Sequence, residues 1–264
     1  LSKAVRLQLG VRADSVRLIG ADELQQPSFR PLQERAKTII RHRFADSPVW
    51  GFKYGRTLRI LPFWEPVLAD LAIEPSFVIA LRNPLSVARS RARLDPRRGL
   101  QEASDLEWLV SIVPYLRRTR GYRLAVVDYD ELMDHPTTQL QRLTRLLDLP
   151  EDQAGPEQVR NYAERFLDAR LRHTRFSLQD LDDSLELNSV TRDGYRLLLE
   201  LATGDSTADR SDFWNRWQQI ESRVTDLAPL LKLIDRREGE RRHAMFSPLG
   251  PLQAFSLLKP FLKR

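Results

Sequence analysis

The chain has 264 residues, 42% of them hydrophobic and 30% charged, which is the composition of a folded domain and not of a disordered segment. It contains no cysteine, which excludes disulfides, thiolate metal sites and cysteine nucleophiles; the four histidines (His42, His135, His173 and His243) show no metal-ligand spacing. Basic residues outnumber acidic ones 42 to 36, and only six of the 42 are Lys. Arginine used this freely reads first as solvated helix surface with i,i+4 pairs. An anionic ligand such as a nucleotide is the sharper alternative. A nucleic-acid surface is a third reading, but the arginines are scattered and no recognised binding motif accompanies them. No apolar run is long enough to cross a bilayer and no signal peptide is recognisable, so a cytoplasmic protein is expected. The first residue is Leu1 and not Met, so a processed or truncated piece is expected.

Residues 1–11 read as a helix that stops at Gly10. A second helix is expected over residues 29–45, with Pro31 near its start. Residues 50–53 alternate like a short strand and end at the polar turn Tyr54-Gly55-Arg56. A helix over residues 57–71 contains Pro62 and Pro66. Residues 76–81 are a continuous apolar run after Pro75, the pattern of a buried parallel strand. The run breaks at Arg82-Asn83-Pro84, where Asn83 suits an N-cap and Pro84 the first helical position, so a helix is expected from there to about Leu94. Another helix over residues 104–120 carries Trp108 and ends at Gly121. Residues 123–129 read as a second buried strand. A stop at Asp134-His135-Pro136 precedes an amphipathic helix with Leu140, Leu143, Leu146 and Leu147 on one face. Strands alternating with helices imply a parallel sheet. Beyond Pro150 the pattern is helical, over residues 156–172, 191–203 and 209–235, the last with Trp214 and Trp217. Residues 180–187 read as an acidic surface linker. The tail from Arg236 is basic, then apolar with Pro248, Pro251 and Pro260.

In an open α/β sheet, ligands sit beyond the carboxyl ends of the strands. Arg82 is placed there, directly before a helix N-terminus whose free N–H groups favour a phosphate. Ser90 follows two helical turns on and could give a hydroxyl to the same anion; Ser86, one turn nearer, is an alternative. The competing reading is that Arg82 pairs with a carboxylate and the serines face solvent. Lys53 ends the expected strand over residues 50–53 and is either a positive charge in a site or a solvated strand end. Arg56 either helps it or contacts the following helix. His135 suits a cap or a surface position, and for His173, flanked by Arg172 and Arg175, a structural role is favoured over acid–base work.

The segment Arg82-Asn83-Pro84-Leu85-Ser86-Val87-Ala88-Arg89-Ser90 resembles the 3′-phosphate motif of sulfotransferases that use 3′-phosphoadenosine 5′-phosphosulfate. Trp50-Gly51-Phe52-Lys53 with Arg56 resembles the strand and basic turn of bacterial sulfotransferase-like proteins, and Leu61-Pro62-Phe63-Trp64 the helix after it. The run from Val126 to Leu132 with Asp134-His135-Pro136 is similar to that family's late strand and loop, and Leu171-Arg172-His173 to a C-terminal element. The resemblance covers about residues 1–180.

It implies a three-layer α/β fold with a parallel sheet, of the P-loop nucleotide-kinase and sulfotransferase kind, over residues 1–180, with a helical C-terminal extension over 181–264. It also implies transfer of a sulfuryl group from 3′-phosphoadenosine 5′-phosphosulfate, as co-substrate and without a metal, to a hydroxyl or amine of a glycan, lipid or small metabolite. Arg82 and Ser90, with Ser86 as alternate, would hold the 3′-phosphate; Lys53 and Arg56 would act on the leaving group. Two departures stand out. The family's Arg-Ser-Gly-Thr-rich phosphosulfate turn is absent from the sequence, residues 1–11 resembling the helix after it. Gly55 stands where many cytosolic members have a catalytic His, and Tyr54 where bacterial relatives often have Asp, so no general base is inherited. A non-catalytic module of the same fold and a nucleic-acid binder remain the alternatives.

Overall fold

A computed structural model describes residues 1–150, 155–168, 172–204 and 210–246. The expected apolar tail with Pro248, Pro251 and Pro260 lies outside the described residues. The chain is mostly helical, with one parallel pair of strands. Strand β1 (Phe77–Leu81) pairs with β2 (Leu124–Asp128) in a register running from Phe77 opposite Leu124 to Leu81 opposite Asp128. Both strands sit where continuous apolar runs place them.

The helices of the first part are α1 (Ser2–Gln8), α2 (Ala21–Leu24), α3 (Arg30–Phe44) and α4 (Leu61–Asp70). Between the strands lie α5 (Pro84–Ala92) and α6 (Gln101–Ile112). After β2 come α7 (Tyr129–Asp134), α8 (Pro136–Leu147) and α9 (Pro156–Asn161). The remainder is α10 (Leu178–Asp183), α11 (Ser189–Thr203), α12 (Ser211–Thr225) and α13 (Ala228–Phe246). Local chemistry accounts for several ends. Gly10 takes φ +64° just beyond α1 and Gly121 takes φ +94° before β2, both left-handed conformations that favour glycine. Asn83 caps α5 by accepting from the Leu85 N–H at 3.0 Å, with Pro84 at the first helical position.

β2 is buried along its whole length, because its two faces meet different helical layers. Ala125 packs with Leu146 and Leu147 of α8. Leu124 and Val126 face the main core, with Phe63, Leu197 and Trp217. Trp217 is fully buried and its indole N–H donates to the Val113 carbonyl at 3.2 Å. α11 and α12, which follow residue 181, belong to this same core.

Several expectations are corrected. β1 is not buried on both faces: α8 covers β2 alone, so Val78 is 49% exposed while Leu81 is 1% exposed. Residues 50–53 form no strand; aromatic stacking holds them instead. Trp50 lies flat against Phe44 (ring centroids 4.5 Å apart) and Phe52 contacts Trp64 at 5.0 Å. The helix expected over residues 104–120 ends at Ile112, with a separate 3-10 turn at Leu116–Thr119. The one expected over 209–235 is broken between α12 and α13. The helix expected over 156–172 ends early: α9 passes into a π turn at Tyr162–Phe166, and residues 172–177 form no regular element. The acidic segment at 180–187 is half helix, since Ser177 and Asp180 form a capping box and Leu181 is fully buried.

Buried arginines complete the fold. In the parallel register the Phe77 N–H takes the Arg123 carbonyl, so the alternate carbonyls of Leu124 and Val126 point to the other edge of β2. There Arg210 donates to Leu124 O at 2.9 Å and Arg142 to Val126 O at 2.9 Å. Arg142, only 4% exposed, also bonds the carbonyls of Leu201 and Gly204 at the end of α11. Arg59, 2% exposed, clamps the carbonyls of Ser15 and Arg17 at 3.0 and 2.7 Å. Replacing Arg142 by Met leaves the buried Val126 carbonyl without this donor, at a cost of roughly 1–3 kcal/mol, while the more accessible carbonyls of Leu201 and Gly204 pass to water. Urea unfolding of Arg142→Met should therefore lose roughly 1–3 kcal/mol of stability, whereas Arg223→Ala, which breaks the exposed pair with Asp193, should lose under about 1 kcal/mol.

Candidate functional site

The register carries Arg82 and Tyr129, the residues after each strand, to adjacent positions at the carboxyl end of the sheet. The Arg82 guanidinium lies over the Tyr129 ring, 4.5 Å from its centroid. Its Nε is buried and has no hydrogen-bond partner among the described residues. Three further buried polar atoms without partners lie on the segments that meet here: Asp128 Oδ2, Asp130 Oδ1 and Thr174 Oγ1. Buried polar groups are almost always satisfied by protein or by ordered water, so these atoms are open to a further hydrogen-bond partner.

The acidic groups here are turned inward. Asp128 Oδ1 accepts the N–H groups of Asp130 and Glu131 at 2.9 and 3.1 Å, capping α7. Burial still pushes its carboxyl above the ordinary range. Tyr195 of α11 stands near it, and burial followed by the charges of Asp128 and Asp130 drives its hydroxyl far upward, which makes it no base. Arg172 bonds Asp134 at 2.6 Å and approaches Asp130 at 3.8 Å; Arg175 bonds Asp134 at 2.9 Å. The segment from Arg172 to Phe176 thereby lies as a strap across the N-terminal end of α5. Asn83 Nδ2 donates to the Phe176 carbonyl at 3.0 Å, and the Ser86 hydroxyl points at the Thr174 carbonyl at 3.5 Å.

Arg82, Ser86 and Ser90 are thus together on one helix and its entry. Ser86 is fully buried under the strap, and Ser90 is half-buried two turns along. Lys53 is exposed on the stacked segment after Phe52. Arg56 donates to the Ala13 carbonyl and pairs with Glu107 of α6 at 3.0 Å; Glu107 also receives Arg91, the neighbour of Ser90 on α5. The Lys53–Arg56 segment is therefore tied to the far end of the helix that begins after Arg82. His173 and His135 are exposed, and His135 contacts Glu131 at 3.2 Å.

The sequence reading did not single out Tyr129 as the platform of Arg82, although equal strand lengths followed by Arg82 and by Tyr129 held that signal. The strap and the Glu107 bridge join residues about 90 and 51 positions apart and left no local trace. Among the described residues no group of three or more His, Asp or Glu side chains is arranged to hold a metal, and no helix is long and apolar enough to cross a membrane. No protein-family model matches the chain, and no curated protein or solved structure matches it either.

Asp134 is the anchor of the strap. The hydrogen bond from Arg172, with the charges of Arg172 and Arg175, holds its carboxyl below the ordinary value near about 4. A depressed folded-state value means the anchor is intact above that range and is lost as pH falls through the lower, folded-state value. Asp134→Asn should release the strap at neutral pH: tryptic cleavage at Arg172 and Arg175 should accelerate while far-ultraviolet circular dichroism stays unchanged. In the unaltered protein the same acceleration should be absent from pH 5 upward.

Proposed function

We propose that this chain is a sulfotransferase-like protein that binds a 3′-phosphorylated adenine nucleotide at the carboxyl end of β1 and transfers a sulfuryl group from 3′-phosphoadenosine 5′-phosphosulfate to a hydroxyl or amine. The observation that carries the proposal is Arg82. It follows a parallel strand, rests on Tyr129, keeps a buried N–H unspent and stands at the entry of a capped helix. A phosphate fits that position, because a guanidinium with an unspent buried donor is a strong oxyanion partner; of the nearby carboxylates, Asp128 turns one oxygen to the amides of α7 and Arg172 lies 3.8 Å from Asp130. Ser90 would supply the second contact, and Ser86 the alternate one.

In the transfer the acceptor oxygen or nitrogen forms a bond to sulfur as the bond from sulfur to the 5′-phosphate oxygen breaks; the acceptor proton leaves to a base or to solvent, and the adenosine 3′,5′-bisphosphate departs. Lys53 would neutralise the charge that develops on the leaving oxygen. Arg56 would act from beside it, holding the segment through Glu107. The wider three-layer parallel sheet belongs to this proposal as well. Such a sheet has to grow outward from β1, since Arg142 and Arg210 occupy the outer edge of β2. A second reading, nucleotide binding without transfer, is favoured by one observation: two of the Arg56 donors are committed to Ala13 and Glu107 and not to a leaving group.

Arg82→Ala should weaken binding of 3′-phosphoadenosine 5′-phosphate by about 10- to 100-fold, as expected for loss of a charge-assisted hydrogen bond of roughly 1.5–3 kcal/mol. It should leave the affinity for adenosine 5′-phosphate unchanged. Equal affinity of the native protein for the two nucleotides in calorimetric titration overturns the assignment. For the transfer step, Lys53→Ala should lower turnover with 3′-phosphoadenosine 5′-phosphosulfate more than it lowers nucleotide affinity; bound nucleotide with no turnover by the native protein selects the second reading.

A further inference from the structure

At the opposite end of α5 from Arg82 there is a second basic site. Helix α5 rises about 1.5 Å per residue, so Arg91 stands roughly 13 Å along the axis from Arg82. Arg91 bonds Glu107, and Glu107 forms one wall of a cavity of about 520 Å³. The other charged walls are Arg6, Arg12, Arg56, Asp14 and Arg242. These come from five parts of the chain: α1, the loop after it, the turn before α4, α6 and the C-terminal helix α13.

The cavity is rigidly framed. Arg12 bonds the Asp235 carbonyl and carboxylate, each at 3.1 Å, and lies across Gly239, where a Cβ would come within 3.2 Å of its Nη1. Arg242 pairs with Glu238 at 2.8 Å and with Asp14. Arg56 holds Ala13 O and Glu107. Both wall carboxylates are thus already covered by arginine, Asp14 by Arg12 and Arg242, and Glu107 by Arg56 and Arg91. Arg6 differs: it donates to the Val11 carbonyl at 3.1 Å and has no carboxylate partner among the described residues. Arg12, Arg56 and Arg242 are all paired with carboxylates, Arg12 and Arg242 also with Asp235 and Glu238 behind the wall, so the uncompensated positive charge lies at Arg6, in a partly enclosed space where solvent screens it less than on an open surface. Arg6, Arg56 and Arg242 each bring five N–H donors and spend one or two of them on the protein.

We infer that this cavity binds a small organic molecule with a tetrahedral oxyanion head, a phosphate or sulfate ester, at Arg6, Arg56 and Arg242. The volume lies within the range of small-molecule sites, larger than the head group alone needs, so the ligand carries a compact organic body. The inference does not depend on the nucleotide contact at Arg82, which lies outside this cavity, although Arg56 belongs to both readings.

The test is calorimetric titration of the full chain with phenyl phosphate and with phenyl sulfate, which share a body and differ in head-group charge. Both should bind saturably, the phosphate more tightly because it carries more charge. Arg6→Ala and Arg242→Ala should each weaken binding about tenfold or more, while Arg82→Ala leaves it unchanged. Arg242 also holds Asp14 and Glu238, so Arg6→Ala, which removes no ion pair, is the decisive variant if Arg242→Ala melts early. Absence of saturable binding by either ester overturns the inference. So does binding indifferent to Arg6→Ala, and so does binding abolished by Arg82→Ala, which would move the ligand to the strand end.

Discussion

Two guanidiniums on the outer edge of β2 hold the structure together. A strand in the middle of a fold must satisfy backbone carbonyls on both edges. Here β1 takes one edge, and Arg210 and Arg142 take the carbonyls of Leu124 and Val126 on the other. That solution lets β2 be buried on every side with no third strand beside it among the described residues. Arg142 reaches on to the carbonyls of Leu201 and Gly204, so the same side chain also stops α11 against the sheet. Placing a charge this deep costs desolvation, and only several good acceptors offset it. Both arginines meet backbone oxygens, the acceptors a short sheet leaves over.

The same device recurs where the chain is irregular. Residues 11–19 form no regular element, and their carbonyls at Ser15 and Arg17 are taken by the buried Arg59, whose guanidinium burial makes less basic than usual. Asp235 reaches the same loop from α13, accepting from the Ser15 hydroxyl at 2.7 Å and the Val16 N–H at 3.1 Å. The C-terminal helix is therefore fastened to the N-terminal loop by directional polar contacts. Their geometry, more than apolar area, frames the arginine-lined cavity. Stability and the disposition of charge are linked here: arginines that are spent build the scaffold, and those only partly spent line the cavity.

The candidate nucleotide site depends on that scaffold in a different way. Arg82 and Tyr129 meet because two five-residue strands run parallel and in register, so the residues that follow them emerge side by side. The strap from Arg172 to Phe176 then closes over the entry of α5, held by Asp134. At the far end of α5, Arg91 and Arg56 converge on Glu107. One nine-residue helix thus links Arg82 to the segment that carries Lys53.

What the sequence determined by itself was local. The two strands, the Asn83 cap with Pro84, the turns at Gly10 and Gly121 and the amphipathic face of α8 all follow from residue-scale rules: apolar runs, a capping oxygen, a left-handed glycine. The position of Arg82 at a strand end was legible for the same reason. Tertiary structure alone decided the rest. The alternation at residues 50–53 looked like a strand, but stacking between Phe44, Trp50, Phe52 and Trp64 holds that segment away from the sheet. The half-exposed β1 results from where α8 docks, which no pattern within β1 records. Arginine abundance read as solvated surface, and much of it is, yet Arg59, Arg142 and Arg210 face inward. Whether a guanidinium meets water or a backbone carbonyl depends on which oxygens the folded chain leaves unpaired nearby, and that is known only once distant segments have come together.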